Sequence, residues 1–154
     1  MKQEISFGLA TTEDIGDLIA IQNQAFYDDY VKYGNCPGYG RTYESMKSSV
    51  ENCIAYKIMM DGTIVGDIIV RDNHDGTYFL GGLCVIPKYE NNGIGQAAMK
   101  FLDQHYNDAC HWSLETPVDK ERNHYFYKKC GFHVTKEYMV GTVKIALFER
   151  AVSI

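Results

Sequence analysis

Leu83-Cys84-Val85-Ile86-Pro87-Lys88-Tyr89-Glu90-Asn91-Asn92-Gly93-Ile94-Gly95-Gln96 is the stretch on which the reading of this chain turns. The apolar, β-type run from Tyr78 to Ile86 is stopped by Pro87. A polar turn, Tyr89-Glu90-Asn91-Asn92, leads into Gly93-Ile94-Gly95, and residues at helical spacing follow at once. Strand, glycine-bearing turn and helix start, in that order, make an anion site. The first N–H groups of a helix lack partners within it and carry the positive end of its dipole. Glycine lets a phosphate approach the main chain with no Cβ in the way. The expected ligand is therefore phosphorylated.

Two well-known phosphate loops do not account for the stretch. A P-loop needs Lys-Ser/Thr after its last glycine, and Gln96-Ala97 stands there. The dinucleotide fingerprint tolerates alanine at its last position, where Ala98 falls, but its βαβ surroundings are missing.

The bulk properties narrow the setting. A chain of 154 residues reads as one domain, 1–154, with enough length for a substantial core. No apolar run approaches the roughly 20 residues of a membrane span, and the opening MKQEISFGLATTED has no signal-peptide apolar region. A cytoplasmic protein with no membrane partner is expected. The cysteines (Cys36, Cys53, Cys84, Cys110, Cys130) are odd in number and never form Cys-x-x-Cys, so they read mostly as small buried hydrophobes. With the histidines scattered too, no metal is expected. A net charge of -5 argues against nonspecific nucleic-acid binding and fits a cationic small substrate.

Outward from the glycine turn, the elements follow in order. Ile5 to Leu9 alternates as a strand; Thr11 and Asp14 resemble a capping box; Ile15, Leu18, Ile19, Ala25 and Phe26 recur at helical spacing. Asp28 to Arg41 reads as an aromatic loop, and a short helix spans about Thr42 to Asn52. A meander comes next: Ile54 to Met60, an Asp61-Gly62 turn, Ile64 to Arg71, a His74-Asp75-Gly76 turn, and Tyr78 to Ile86. Gly81-Gly82 inside the last of these strands predicts a bulge. After the glycine turn come a helix, a strand from Cys110 to Thr116 ended by Pro117, and a helix from about Lys120 to Lys129 with Gly131 as its stop. Strands Phe132 to Met139 and Thr142 to Arg150 complete a mixed α/β layer fold.

This order, with these motifs, resembles the GNAT superfamily of acetyl-coenzyme-A-dependent N-acyltransferases, over essentially the whole chain. Val85 to Gly95 looks like the family's pyrophosphate loop, Gln/Arg-x-x-Gly-x-Gly/Ala. Asn123-His124-Tyr125-Phe126-Tyr127-Lys128-Lys129-Cys130-Gly131-Phe132 looks like its Asn-containing helix ending in Phe-Tyr-x-Lys-x-Gly-Phe. One departure stands out: Glu90 occupies the position that the family gives to Gln or Arg. A carboxylate there is unfavourable beside a pyrophosphate unless it turns outward.

The resemblance implies a mostly antiparallel sheet of about seven strands flanked by helices. It also implies transfer of an acetyl group from acetyl-CoA to a primary amine of a small molecule or protein, by direct attack through a tetrahedral intermediate. The pantetheine arm would pair with main chain at Leu83, Cys84 and Val85, and an N–H near Val85 would stabilise the oxyanion. Glu90, Asn91, Asn92, Gly93, Ile94, Gly95 and Gln96 would hold the diphosphate, with Asn123 as a further contact. Tyr127 would be the general acid toward the departing thiolate; its other reading is a buried aromatic packing the helix. No base is visible on the third meander strand, leaving Asp67 or Glu115 acting through a water, and Cys84 reads as a packed small residue rather than a nucleophile. The Tyr30–Tyr39 loop is a candidate acceptor wall, its tyrosine faces suited to ammonium groups, or simply a cover for the core edge. Lys88, Lys100, Arg122, Lys128 and Lys129 could offset cofactor charge. Relatives pair into dimers through their C-terminal strands, so a homodimer is an expectation of the resemblance alone. A catalytically silent acyl-CoA sensor and a longer-chain acyltransferase remain the alternatives.

Overall fold

A computed structural model describes residues 4–152, whose strands form a seven-stranded sheet in the order β1-β2-β3-β4-β5-β7-β6. The strands are β1 (Ile5–Leu9), β2 (Ile54–Met60), β3 (Thr63–Asp72), β4 (Thr77–Val85), β5 (His111–Pro117), β6 (His133–Val140) and β7 (Val143–Ala151). The helices are α1 (Ile15–Tyr33), α2 (Tyr43–Asn52), α3 (Ile94–His105) and α4 (Glu121–Lys129). Every pairing is antiparallel except β4 with β5.

Local chemistry explains most boundaries. Thr11 N donates to Asp14 Oδ2 at 2.8 Å, closing the expected capping box ahead of α1. Thr42 Oγ1 accepts from Ser45 N at 3.1 Å and starts α2. The Asp28–Arg41 segment is a correction to the sequence reading. Its first six residues continue α1, because no breaker intervenes before Gly34, whose N–H reaches Tyr30 O at 2.8 Å. The remaining eight residues of that segment, Gly34 to Arg41, are loop. The cysteine reading is corrected as well: Cys84 is buried, Cys36, Cys53 and Cys130 are half-buried, and Cys110 is exposed in a turn where its Sγ meets Gly76 O.

The two faces of the sheet are covered differently. On one, α3 stacks Phe101 on Phe7 (ring centroids 4.6 Å) and sets it edge-on to Tyr56 (5.0 Å). On the other, α1 lies against β3 and β4. There, Lys57, Asp67 and Cys84 are directly opposed across β2, β3 and β4, and so share one face. Lys57 is drawn off by Asp14 at 3.2 Å, and the side chains that hydrogen-bond Asp67, Gln22 and Cys84, are neutral.

The middle of the sheet positions the site. Gly82 opposes Ile69 while Leu80 opposes Val70, so Gly81 is the extra residue of a bulge. β4 and β5 are paired only from Thr77 to Leu80 and His111 to Leu114. Beyond the bulge they part. The residues of β4 from Gly81 to Val85 keep β3 on one side and, among the described residues, have no strand on the other.

Candidate active site

A cleft of about 610 Å³ opens in that gap. Its walls are the free edge of β4, the loop into α3, the first turns of α3 and α4, and the C-terminal half of α1. Ile86 N donates to Val65 O on β3 at 2.9 Å. A Cβ on Gly66 would lie 2.1 Å from Cys84 O, so that carbonyl also points toward β3. Main-chain groups alternate along a strand, so Leu83 and Val85 turn theirs into the cleft.

At the far end of the cleft, Gly93 has φ 74 and caps α3 in the left-handed region that favours glycine. Ala97 N is the first to find a helical partner, Gly93 O at 3.0 Å. The N–H groups of Ile94, Gly95 and Gln96 therefore point out of the helix, unpaired among the described residues. Asn92 shapes this loop: its Nδ2 reaches Tyr89 O at 2.9 Å and Glu90 O at 3.1 Å. A Cβ on Gly95 would sit 3.0 Å from the Phe126 ring, so a bare glycine is what lets α4 pack this closely.

The Glu90 carboxylate is turned to Arg122, with Nη1 to Oε2 at 3.1 Å, and Arg122 Nη2 also reaches Asn91 Oδ1 at 3.3 Å. Asn123 Nδ2 donates to Thr116 Oγ1 at 3.0 Å, tying α4 to the end of β5. Tyr127 is buried on α4 among Phe126, Phe132 and Phe148, yet it borders the cleft together with Cys84. Burial pushes its phenol pKa up from the ordinary value. It stays protonated at neutral pH and is a donor there.

Of the residues singled out in the sequence, Leu83, Cys84, Val85, Glu90, Asn91, Gly93, Ile94, Gly95, Gln96, Asn123 and Tyr127 all border this one cleft. Asn92 lies behind it as the clip already described. The two candidate bases fare differently. Glu115 is exposed on β5 and accepts a hydrogen bond from Tyr138. Asp67 is 1% exposed and receives Gln22 Nε2 at 2.9 Å and Cys84 Sγ at 3.2 Å. Burial raises its carboxyl to about 6 against the pull of those two donors. The same burial, with the Asp67 charge beside it, pushes the Cys84 thiol well up, so Cys84 is no thiolate nucleophile.

The α1 wall was not legible as such. Ala25, Phe26, Asp28 and Asp29 border the cleft, whereas none of the tyrosines from Tyr30 to Tyr39 does. Tyr30 and Tyr39 instead stack on each other outside (4.4 Å), and the loop crosses directly over Phe26, which a Cβ on Gly38 would meet at 2.4 Å. The available signal was the i, i+3, i+4, i+7 series Gln22, Ala25, Phe26, Asp29. Asp29 binds Lys120 Nζ at 2.8 Å, and Tyr33 and Lys32 both hold Asp119, at 2.6 and 3.1 Å. These bonds fasten the end of α1 to the β5–α4 connection across the cleft.

Comparison with known proteins agrees with this architecture. The acetyltransferase (GNAT) family model matches residues 20–132. The uncharacterized protein YrkN of Bacillus subtilis (strain 168) is 31% identical over 139 residues, 89% of this chain and 67% of that one. The crystal structure of PaiA N-acetyltransferase from Thermoplasma acidophilum, in complex with coenzyme A, has a TM-score of 0.82 at 16% identity, covering 97% of this chain and 99% of its own. The ribosomal-protein-S18-alanine N-acetyltransferase of Escherichia coli has a TM-score of 0.80 at 15% identity, over 98% and 96% of the two chains. At such identities these structures establish the shared fold. The family match adds descent, since it runs from within α1 to Phe132 and takes in both the glycine loop and all of α4. The chain belongs to the GNAT acetyltransferase family and is an acyltransferase.

Proposed function

We propose that this protein transfers an acetyl group from acetyl-CoA to a primary amine by direct attack. The observation that carries the reading is the continuity of one cleft. It runs from three unpaired N–H groups at the start of α3, along the free main chain of β4, to the Tyr127 side chain. In this reading Ile94, Gly95 and Gln96 bind the diphosphate, and Leu83 and Val85 pair with the amides of the pantetheine arm. The coenzyme A held by the Thermoplasma acidophilum protein supports it.

The amine nitrogen attacks the thioester carbon, and a C–N bond forms as the carbonyl electrons move to oxygen. The Val85 N–H stabilises that oxyanion. Collapse breaks the C–S bond, and Tyr127 meets the sulfur. A thiol has a pKa of about 8.5, so a phenol held above its ordinary value does not give up its proton completely; it stabilises the thiolate as a hydrogen-bond donor. The attacking nitrogen loses its proton to water at the cleft mouth, because Asp67 lies behind Cys84 and Glu115 is engaged with Tyr138. Phe26 gives that mouth an aromatic face and Asp28 a negative charge, Asp29 being paired with Lys120, and this suits a cationic acceptor.

Calorimetry with CoA, followed by thiol release from acetyl-CoA across polyamines, aminoglycosides, amino acids and peptides, tests the proposal. Micromolar binding and turnover on at least one amine are expected. Binding with no turnover on any class would leave an acyl-CoA sensor, and turnover only with longer acyl donors would reassign the acyl group.

A further inference from the structure

The Glu90–Arg122 pair is out of place as a stabilising contact. Its side chains are 72% (Arg122) and 36% (Glu90) exposed, a setting in which an ion pair contributes little to folding. Arg122 also sits in the first turn of α4, where the helix dipole disfavours a cation. Glu90 is equally awkward, since it puts a carboxylate at the mouth of an anion site. Together the two make sense. Glu90 and Asn91 take one N–H from each terminal nitrogen of the guanidinium, leaving three of its five donors. Both partners border the cleft alongside Gly93, Gly95 and Gln96. The carboxylate thus acts as a bracket, holding a planar donor fork beside the unpaired N–H groups of α3, a geometry matched to phosphate oxygens.

We propose that Glu90 is a positioning residue that holds Arg122 against the CoA diphosphate, so that the cation of this site is delivered from α4 rather than from the loop. This rests on the CoA reading above. It makes a prediction of unexpected sign: removing a negative charge from an anion site weakens anion binding.

The test is calorimetry with CoA and with 3′-dephospho-CoA on wild type, Glu90→Gln, Arg122→Gln and the double variant, at one low ionic strength. Both side chains are on the surface, and matched melting temperatures check the fold. Arg122→Gln is expected to raise the Kd about 10-fold, equally for the two ligands. Glu90→Gln is expected to raise it about 3-fold in the wild-type background and to leave it unchanged, or lower it, when Arg122 is already Gln. Tighter binding by the single Glu90→Gln variant would mean that Glu90 merely repels the ligand and would overturn the proposal. So would an Arg122→Gln Kd equal to wild type, or a loss confined to CoA, which would move Arg122 to the 3′-phosphate. If wild type itself takes up no CoA, the functional reading falls first, and this inference with it.

Discussion

The two ends of the cleft are made of different material. At the α3 end the groups facing the cleft are main-chain N–H donors, set by a left-handed Gly93 and an Asn92 clip. At the α1 end they are side chains, Phe26, Asp28 and Asp29, set by which face of a 19-residue helix docks on the sheet. A main-chain site depends on the local path of the chain and tolerates change in its side chains. Glu90 can stand beside these donors because its carboxylate is turned to Arg122. A side-chain site depends on residue identity and on packing, and small substitutions redirect it. Four variants sharpen or break this contrast.

The largest effect is expected beneath the side-chain end, at Asp67. Its carboxyl has an ordinary value of 3.8 and is raised to about 6 in the fold. Folding therefore takes up a proton between those values, and stability falls as pH rises through that window. The full shift corresponds to about 3 kcal/mol of stability, complete only below pH 3.8 and largely present at pH 4, and lost as pH rises through 6 toward 7. Asp67→Asn should abolish that slope. The Gln22 amide, whose Oε1 now lacks a partner, can turn over to accept from the new Asn Nδ2. Urea midpoints of both proteins between pH 4 and pH 7 measure it, and parallel curves would show that Asp67 is not desolvated.

Tyr127→Phe tests the meeting point of the two ends. It should lower kcat about 100-fold and leave CoA affinity within about 2-fold. An equal loss in both would make Tyr127 a packing residue and nothing more.

Gly93→Ala strikes the main-chain end. A side chain at φ 74 costs about 1 kcal/mol, and the N–H groups of Ile94 to Gln96 shift with the cap. CoA affinity should fall about 5-fold, read by calorimetry, while the KM for the amine barely changes. Unchanged affinity would show that the diphosphate lies elsewhere.

The smallest effect belongs to Asp28→Asn at the mouth. The KM for a cationic amine should rise about 2- to 3-fold at low salt and converge with wild type as salt is added, because an exposed charge is screened. A change that persists in salt would mean direct contact rather than a field.

How much of this was legible varies with the range of the interaction. β2 has the bounds read from its sequence, Ile54–Met60, because alternation and the Asp61-Gly62 turn are local signals. The bulge at Gly81 was legible for the same reason. The extent of α1 was not, since the tyrosine-rich stretch before Gly34 has no helical signature of its own and is helical because it continues a packed helix. Nor was the seclusion of Asp67. A carboxylate in a strand gives no sign of whether its face meets water or Gln22, 45 residues away.

The sequence by itself determined the order of elements, the glycine turn that opens α3 and the motif on α4, because each is written in neighbouring residues and in backbone preferences. Only the tertiary structure decided which side chains complete the cleft. Arg122 reaches Glu90 across 32 positions and Lys120 reaches Asp29 across 91. Such contacts come from the docking of helices on a splayed sheet, and that docking is settled by packing of the whole chain rather than by any short segment of it.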